Sequence, residues 1–274
     1  MVGAIRSEIL KIFTTRMWWG MLIGVVVIAA SISAGFAALV GVNAGGGGNS
    51  QGQVLSASSP GAAQFVYSAG FIILSIAALL PLSLGVLLIT QEFRHKTFTA
   101  TVLATPRRAQ MLVSKVIAII VIGVLYAVVY DLAAVGGGAA VLTAKGHSAF
   151  LDNSEVRNTL LLMLLAFVVW ALLGFGFGML VRNQIAAILL AVGVAFLLQA
   201  VLNVVFGILG WDTASKFVPG NLTIGMLVTS DPTAGGTPGG SPYFTWWVCA
   251  LILVGYAAVM SLAGSVLTAR RDIS

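Results

Sequence analysis

Residues 17–42, 65–90, 111–142, 158–181, 184–208 and 243–268 form six almost uninterrupted apolar stretches. A helix needs about 20 mostly apolar residues to cross the hydrocarbon core of a bilayer, and each stretch reaches that length. In lipid every backbone N–H and C=O must be bonded within the protein, so stretches of this kind form helices unless they close a barrel. Composition agrees: the chain is 59 % hydrophobic and 8 % charged, against about 45–50 % and 25 % in soluble domains. The expected fold is therefore all-α and integral to the membrane, with residues 1–274 making one polytopic domain of six transmembrane helices. The first stretch exceeds the apolar core of about 7–15 residues in a cleavable signal, so it is read as a retained span. The third is long enough to start in the interface before entering the bilayer.

The formal net charge is +6. Here that charge speaks to topology rather than to nucleic acid. With the N-terminus inside, 11 of the 14 Lys and Arg residues fall in cytoplasmic segments: Arg6, Lys11, Arg16, Arg94, Lys96, Arg107, Arg108, Lys115, Arg182, Arg270 and Arg271. Lys145, Arg157 and Lys216 fall outside. The positive-inside rule then predicts a multi-pass protein of the cell membrane with both termini cytoplasmic. Trp18 and Trp19 would lie at the inner interface, and Tyr243, Trp246 and Trp247 at the outer one.

The segments between the spans differ in kind. Residues 1–16 carry Val2, Ile5, Ile9, Ile12 and Phe13 at helical spacing, with Arg6, Glu8, Lys11 and Arg16 on the other positions. This predicts a helix lying in the interface plane, either a simple anchor or a brace for a partner. The run GGGGNSQGQ (residues 45–53) has linker composition. Residues 209–242 are the longest outer segment. Their first half is apolar enough for short helices in or dipping into the outer leaflet, and DPTAGGTPGGSP is turn-rich.

The connector QEFRHKTFTATVLATPRR (residues 91–108) is the most charged inner loop. Residues 93–103 can make about three helical turns in which Phe98 and Val102 share a face. Pro106 disfavours helix at Thr105, which can cap a new helix starting at the proline. Two readings fit: a basic surface helix that only sets topology, or a docking element for a soluble partner.

Glu92, Thr97, Leu103, Pro106, Arg108 and Lys115 stand in an order that resembles the permease subunits of type-2 ABC exporters, whose pattern runs roughly E-x-x-x-G-T, a Leu before P-x-R, and a Lys as the third span begins. The stretch RSEILKIFTTRMWW (residues 6–19) is similar to the interfacial helix of that family, and the loop lengths match along the whole chain. Lys96 departs from the family's usual Gly. The resemblance implies a cytoplasmic coupling helix between spans 2 and 3, seated on a separate P-loop ATPase subunit through Glu92, Phe93, Arg94, Phe98, Val102 and Arg107. It further implies two ATPase copies that bind ATP and Mg²⁺, a second permease subunit (identical or not), and outward transport of a lipid-like, amphipathic or drug-like substrate. The chain itself has no G-x-x-x-x-G-K-[ST] loop, so no cofactor or ATP hydrolysis is expected in it.

Polar residues within the spans are candidates for the translocation path. Asp131 lies inside the third stretch beside Tyr126 and Tyr130. A carboxylate at the bilayer centre costs about 2.5–3.5 kcal/mol on insertion scales, so it is a functional candidate by default. The alternatives are a position near the outer interface or a tyrosine partner. Gln199 and Asn203 share a face of the fifth span and fit either the path or interhelical hydrogen bonding. Gly174, Gly176 and Gly178, and in the first span Gly20 and Gly24, have spacings that suit close helix packing. Pro81 is expected to kink the second span. Cys249 is the only cysteine, His95 and His147 fall on opposite sides, and no catalytic or metal-ligand spacing occurs, so an enzyme is not expected. A gradient-driven secondary transporter and a non-transporting membrane scaffold or signalling component remain the alternatives.

Overall fold

The computed structural model describes residues 2–14, 17–41, 60–72, 76–94, 108–181, 183–227 and 244–270. Among these there is no strand. The helices are α1 (Val2–Thr14), α2 (Met17–Leu39), α3 (Pro60–Ile72), α4 (Ile76–Arg94), α5 (Arg108–Ala144), α6 (Ser154–Leu180), α7 (Gln184–Val192), α8 (Gln199–Leu209), α9 (Asp212–Ser215), α10 (Pro219–Leu227) and α11 (Trp246–Arg270). A π-helical stretch, Gly193–Leu198, joins α7 to α8.

Five segments are long and apolar enough to cross a membrane: Trp18–Leu39, Val113–Ala144, Ser154–Leu180, Gln184–Leu209 and Trp246–Gly264. Together, α3 and α4 pass the same test as a pair whose axes meet at 46°. The chain is a multi-pass, all-α membrane protein. The pair changes direction at the break between α3 and α4, and Pro81 lies within α4.

Local chemistry fixes where helices start and stop. Asn153 accepts from the Glu155 N–H at 2.8 Å and opens α6, with Glu155 placed favourably at the positive helix end. Asn183 opens α7 in the same way, accepting from Ile185 and Ala186. Gly210, at φ 67°, closes α8 in a left-handed conformation that costs glycine little. At the end of α2, the Lys145 ammonium donates to the carbonyls of Ala38 and Val40, which lack partners further along the helix.

Pairings between helices set their directions. Tyr126 O–H donates to the Trp18 carbonyl, Gly137 lies against the backbone of Ala30, and Lys145 reaches Ala38. Each pair is 107 or 108 positions apart, so α2 and α5 run parallel. Leu82 meets Gly174 and Ile89 meets Gly178, so α4 and α6 are parallel; Met260 meets Gly176 and Gly264 meets Met179, so α11 runs with them. Gly123 lies beside Val168, and Leu142 clusters with Val156, so α5 and α6 are antiparallel. The GFGFG run serves two helices at once: Gly174 and Gly178 admit the backbone of α4, and Gly176 admits α11. A Cβ at Gly174 would overlap the Leu82 carbonyl. Gly20 and Gly24 differ from expectation. Among the described residues nothing lies within 4 Å of a Cβ at either, so neither is a packing notch for a described helix.

The core joins α2 to α6 and α11 around Phe71, Tyr130 and Phe167, whose rings lie 5.5–6.3 Å apart. Trp19 is exposed at the end of the bundle that carries α1, and Trp211, Trp246 and Trp247 are exposed at the opposite end. Such aromatic rings at both ends are the pattern of two membrane interfaces.

Candidate functional site

Helix α1 lies against α5. Its inward stripe is Ile5, Glu8, Ile9 and Ile12, all partly buried, while Arg6 and Lys11 are exposed. The spacing 5, 8, 9, 12 is one helix face. The sequence reading set Glu8 with the outward polar residues; the structure turns it inward, because a buried cation waits there. The Lys115 side chain, 4 % exposed, donates to Glu8 Oε2 at 3.0 Å, and Lys11 donates to Glu8 Oε1 at 2.8 Å. Burial alone would push the Glu8 carboxyl up. The ammonium groups of Lys115 and Lys11 outweigh this and hold it below its ordinary value of 4.5.

Eleven positions further along α5, Tyr126 holds the first turn of α2 through Trp18, whose ring meets Phe13 edge-on at 5.2 Å. A cavity of about 20 Å³ lies among Ile12, Trp18, Leu84, Gln91, Ile122 and Tyr126. It has room for about one water and none for a transport substrate. Its lining does show that the last turn of α4, with Gln91, stands beside the end of α1. Helix α4 thus ends at the α1 end of the bundle, and α5 begins at Arg108, seven positions before Lys115. Of the proposed coupling residues, Glu92, Phe93 and Arg94 belong to the last turn of α4. Phe98, Val102 and Arg107 lie outside the described residues.

The opposite half holds a second polar cluster. Helix α10 is inserted among α3, α6 and α11, and Leu222, Met226 and Leu227 are buried. Trp170 Nε1 donates to Thr223 Oγ1 at 3.0 Å. Trp170 follows the start of α6 by 16 positions, about 24 Å of helix rise, so α10 dips deep into the bundle. Gln199 Oε1 accepts from the Gly220 N–H at 3.0 Å, satisfying a free donor in the first turn of α10. Asn203 Oδ1 accepts from Asn221 Nδ2 at 2.7 Å, and Asn221 also donates to the Ser215 carbonyl. Gln199 and Asn203 therefore both hold the dipping segment. The π-helical stretch ends directly before Gln199 and resets the helix register there, a feature often found at functional positions.

Asp131 stands apart from both clusters. It is partly buried, and its Oδ1 is enclosed with no hydrogen-bond partner. Tyr126 spends its hydroxyl on Trp18 instead. No group of His, Cys, Asp and Glu suited to a metal ion occurs among the described residues.

Sequence reasoning missed the Glu8–Lys115 pair and the Trp170–Thr223 bond. One signal for the first was present: Lys115 and Asp131 are the only charged residues in the run 111–142, so Lys115 needed an acidic neighbour from elsewhere. For the second, Pro-Gly-Asn at 219–221 marks a helix start within a partly apolar segment between two spans. No protein-family model and no curated protein matches the chain.

Proposed function

We propose that this chain is the membrane-spanning subunit of an ATP-driven exporter of the type-2 ABC class, moving a lipid-like, amphipathic or drug-like substrate outward across the cell membrane. In this reading there are six crossings, with α3 and α4 together forming the second. The termini and the connector 91–108 are cytoplasmic, as the 11-to-3 distribution of Lys and Arg favours. Two such chains pair, and two P-loop ATPase subunits, which bind ATP and Mg²⁺, grip the connectors.

The observation that carries this reading is the ion pair of Lys115 with Glu8 directly behind the connector. Lys115 follows Arg108, the first residue of α5, by seven positions, about 10 Å of helix rise. A push on the connector reaches this lock almost at once. Because Glu8 holds α1 and Tyr126 holds α2, the load is shared by α1, α2 and α5 as one unit. A transporter worked from outside the bilayer needs such a stiff input.

The decisive experiment co-expresses the chain with candidate P-loop ATPase subunits from the same organism and purifies through one tag in mild detergent. The expected result is a stable complex whose ATPase rate responds to amphiphiles. Absence of any complex overturns the proposal. Asp131 favours a second reading, a gradient-driven transporter, because a mid-membrane carboxylate suits ion coupling. Flux in vesicles holding this chain alone, driven by an ion gradient, would select it.

A further inference from the structure

The crossing segment Gln184–Leu209 changes character half-way along. Its first part, α7, packs on α4 and α6, with Ala187 and Ala191 fully buried. Its last part, α8, has no buried residue and packs chiefly on its own sequence neighbours, the π-helical stretch and α9. Two hydrogen bonds tie α8 to α10: the Gly220 N–H donates to Gln199, and Asn221 donates to Asn203. Helix α10 is itself anchored in the bundle through Trp170 and Thr223. The π-helical stretch Gly193–Leu198 thus separates a half held by the bundle from a half held by two amides.

Ala187, Ala191 and Ala195 are buried, and Gln199 and Asn203 continue their spacing toward α10. Unbroken α winding turns about 100° per residue, so each step of this spacing overshoots a full turn by about 40°. Asn203 would then stand about 160° round from Ala187, on nearly the opposite side of the helix. A π-helix closes its hydrogen bonds from i to i+5 in place of i+4, so one turn of it absorbs one extra residue. That residue takes back about 100°. The correction is what brings Gln199 and Asn203 round to α10.

We infer that Gly193–Leu198 is a rotary joint and that Gln199 and Asn203 are its latch. Rewinding the stretch as α-helix turns α8 by about 100° about its axis and shifts it by about 1.5 Å. Both amides then leave Gly220 and Asn221, and the first turn of α10 is released. Little packing opposes the turn, because α8 buries no residue. Apart from the two amides its side chains are apolar all round, so the turned helix still offers lipid an apolar surface. The better hydrogen bonding of α winding favours the turn. Two amides left without partners in an apolar medium oppose it. The two arrangements thus differ by a few hydrogen bonds, as a switchable element requires. The joint belongs to this chain alone and depends on neither the ATPase nor the direction of transport proposed above.

The test uses the full chain in nanodiscs and reads amide exchange by mass spectrometry. Leu197 and Val201 are 71 % and 57 % exposed, so deleting either removes no core side chain. Deletion of Leu197 takes out the extra residue. The helix then runs on as α with Gln199 and Asn203 still at α10. Exchange over 219–227 should be slower than in wild type by about threefold or more, because the turn no longer occurs. Deletion of Val201 puts Gln199 and Asn203 out of step, so one amide misses α10 whichever way the helix winds. Exchange over 219–227 should then rise by about threefold or more. Gln199→Leu with Asn203→Leu opens the latch at unchanged length. In that double variant exchange should rise over 219–227 and fall over 193–198 as the stretch rewinds. A Leu197 deletion that no longer elutes as wild type on size exclusion, or whose exchange over 219–227 is unchanged or faster, overturns the inference. So does a double variant in which 193–198 exchanges as fast as in wild type or faster.

Discussion

Lys115 Nζ and Glu8 Oε2 lie 3.0 Å apart, joining residues 107 positions distant in the chain. The same offset relates Lys145 to Ala38 at the far end of α5, so the helix is held to the first segment of the protein along its whole length. At the α1 end Glu8 serves two cations. Glu8→Gln removes both ion pairs, whereas Lys115→Met removes one buried charge and leaves Glu8 with Lys11. We expect Glu8→Gln to cost about 2 kcal/mol, less than a fully buried pair because Glu8 keeps some exposure, and Lys115→Met about 1 kcal/mol or less. Since the fold holds the Glu8 carboxyl below 4.5, its contribution is complete above that pH and is lost as pH falls through the lower value of the folded state. Tryptophan-monitored melting in detergent should therefore show a gap between wild type and Glu8→Gln at pH 7 that closes below pH 4.5. A gap that persists or widens in acid would refute the account.

The glycines should divide by location. A Cβ at Gly85 or Gly174 meets the carbonyl of Ala171 or Leu82, backbone atoms that cannot swing aside. Gly85→Ala and Gly174→Ala should each cost about 1–3 kcal/mol through overpacking. Gly20 and Gly24 have open space, so alanine there should be neutral or gain about 0.5–1 kcal/mol by stiffening the helix. Melting temperatures of the four variants in one detergent would check this, and equal losses in all four would contradict it.

What the sequence showed and what it hid follow one physical division. Long apolar runs and flanking charges report the solvent that each residue meets, so helices, loops and interface tryptophans were legible. Contacts between distant segments have no such local signature. Glu8 looked outward because a carboxylate on an amphipathic helix belongs with the polar face, and only Lys115, arriving from α5, reverses that. Gly20 and Gly24 carry the same spacing as Gly174 and Gly178, yet among the described residues only the latter pair meets another helix. The 46° break between α3 and α4 was not legible, because the sequence between Ile72 and Ile76 has no proline or glycine.

Helix α10 should loosen when its polar anchors are removed. Trp170→Phe deletes the bond to Thr223, and Asn203→Leu deletes the bond to Asn221. Interhelical hydrogen bonds in membranes contribute about 0.6–1.7 kcal/mol. Amide exchange over residues 219–227 should accordingly rise about three- to twentyfold in either variant. Exchange in α2, which neither bond touches, should stay unchanged. A uniform rise across the protein would mean general destabilisation and would remove the specific role given to these anchors.

Orientation can be read with one probe, because the only native cysteine, Cys249, is buried. Gly3 and Asp152 are both exposed and lie at opposite ends of the bundle. On intact cells, a membrane-impermeant maleimide should label Asp152→Cys and leave Gly3→Cys unlabelled until the cells are opened. The charge distribution demands this result: reversing the chain would carry 11 of its 14 basic residues to the outer face, against the rule that retains Lys and Arg on the cytoplasmic side. It would also turn the connector behind Lys115 away from any source of ATP. Labelling of Gly3→Cys from outside would thus end the exporter reading in a single measurement, while the packing described for the helices would stand.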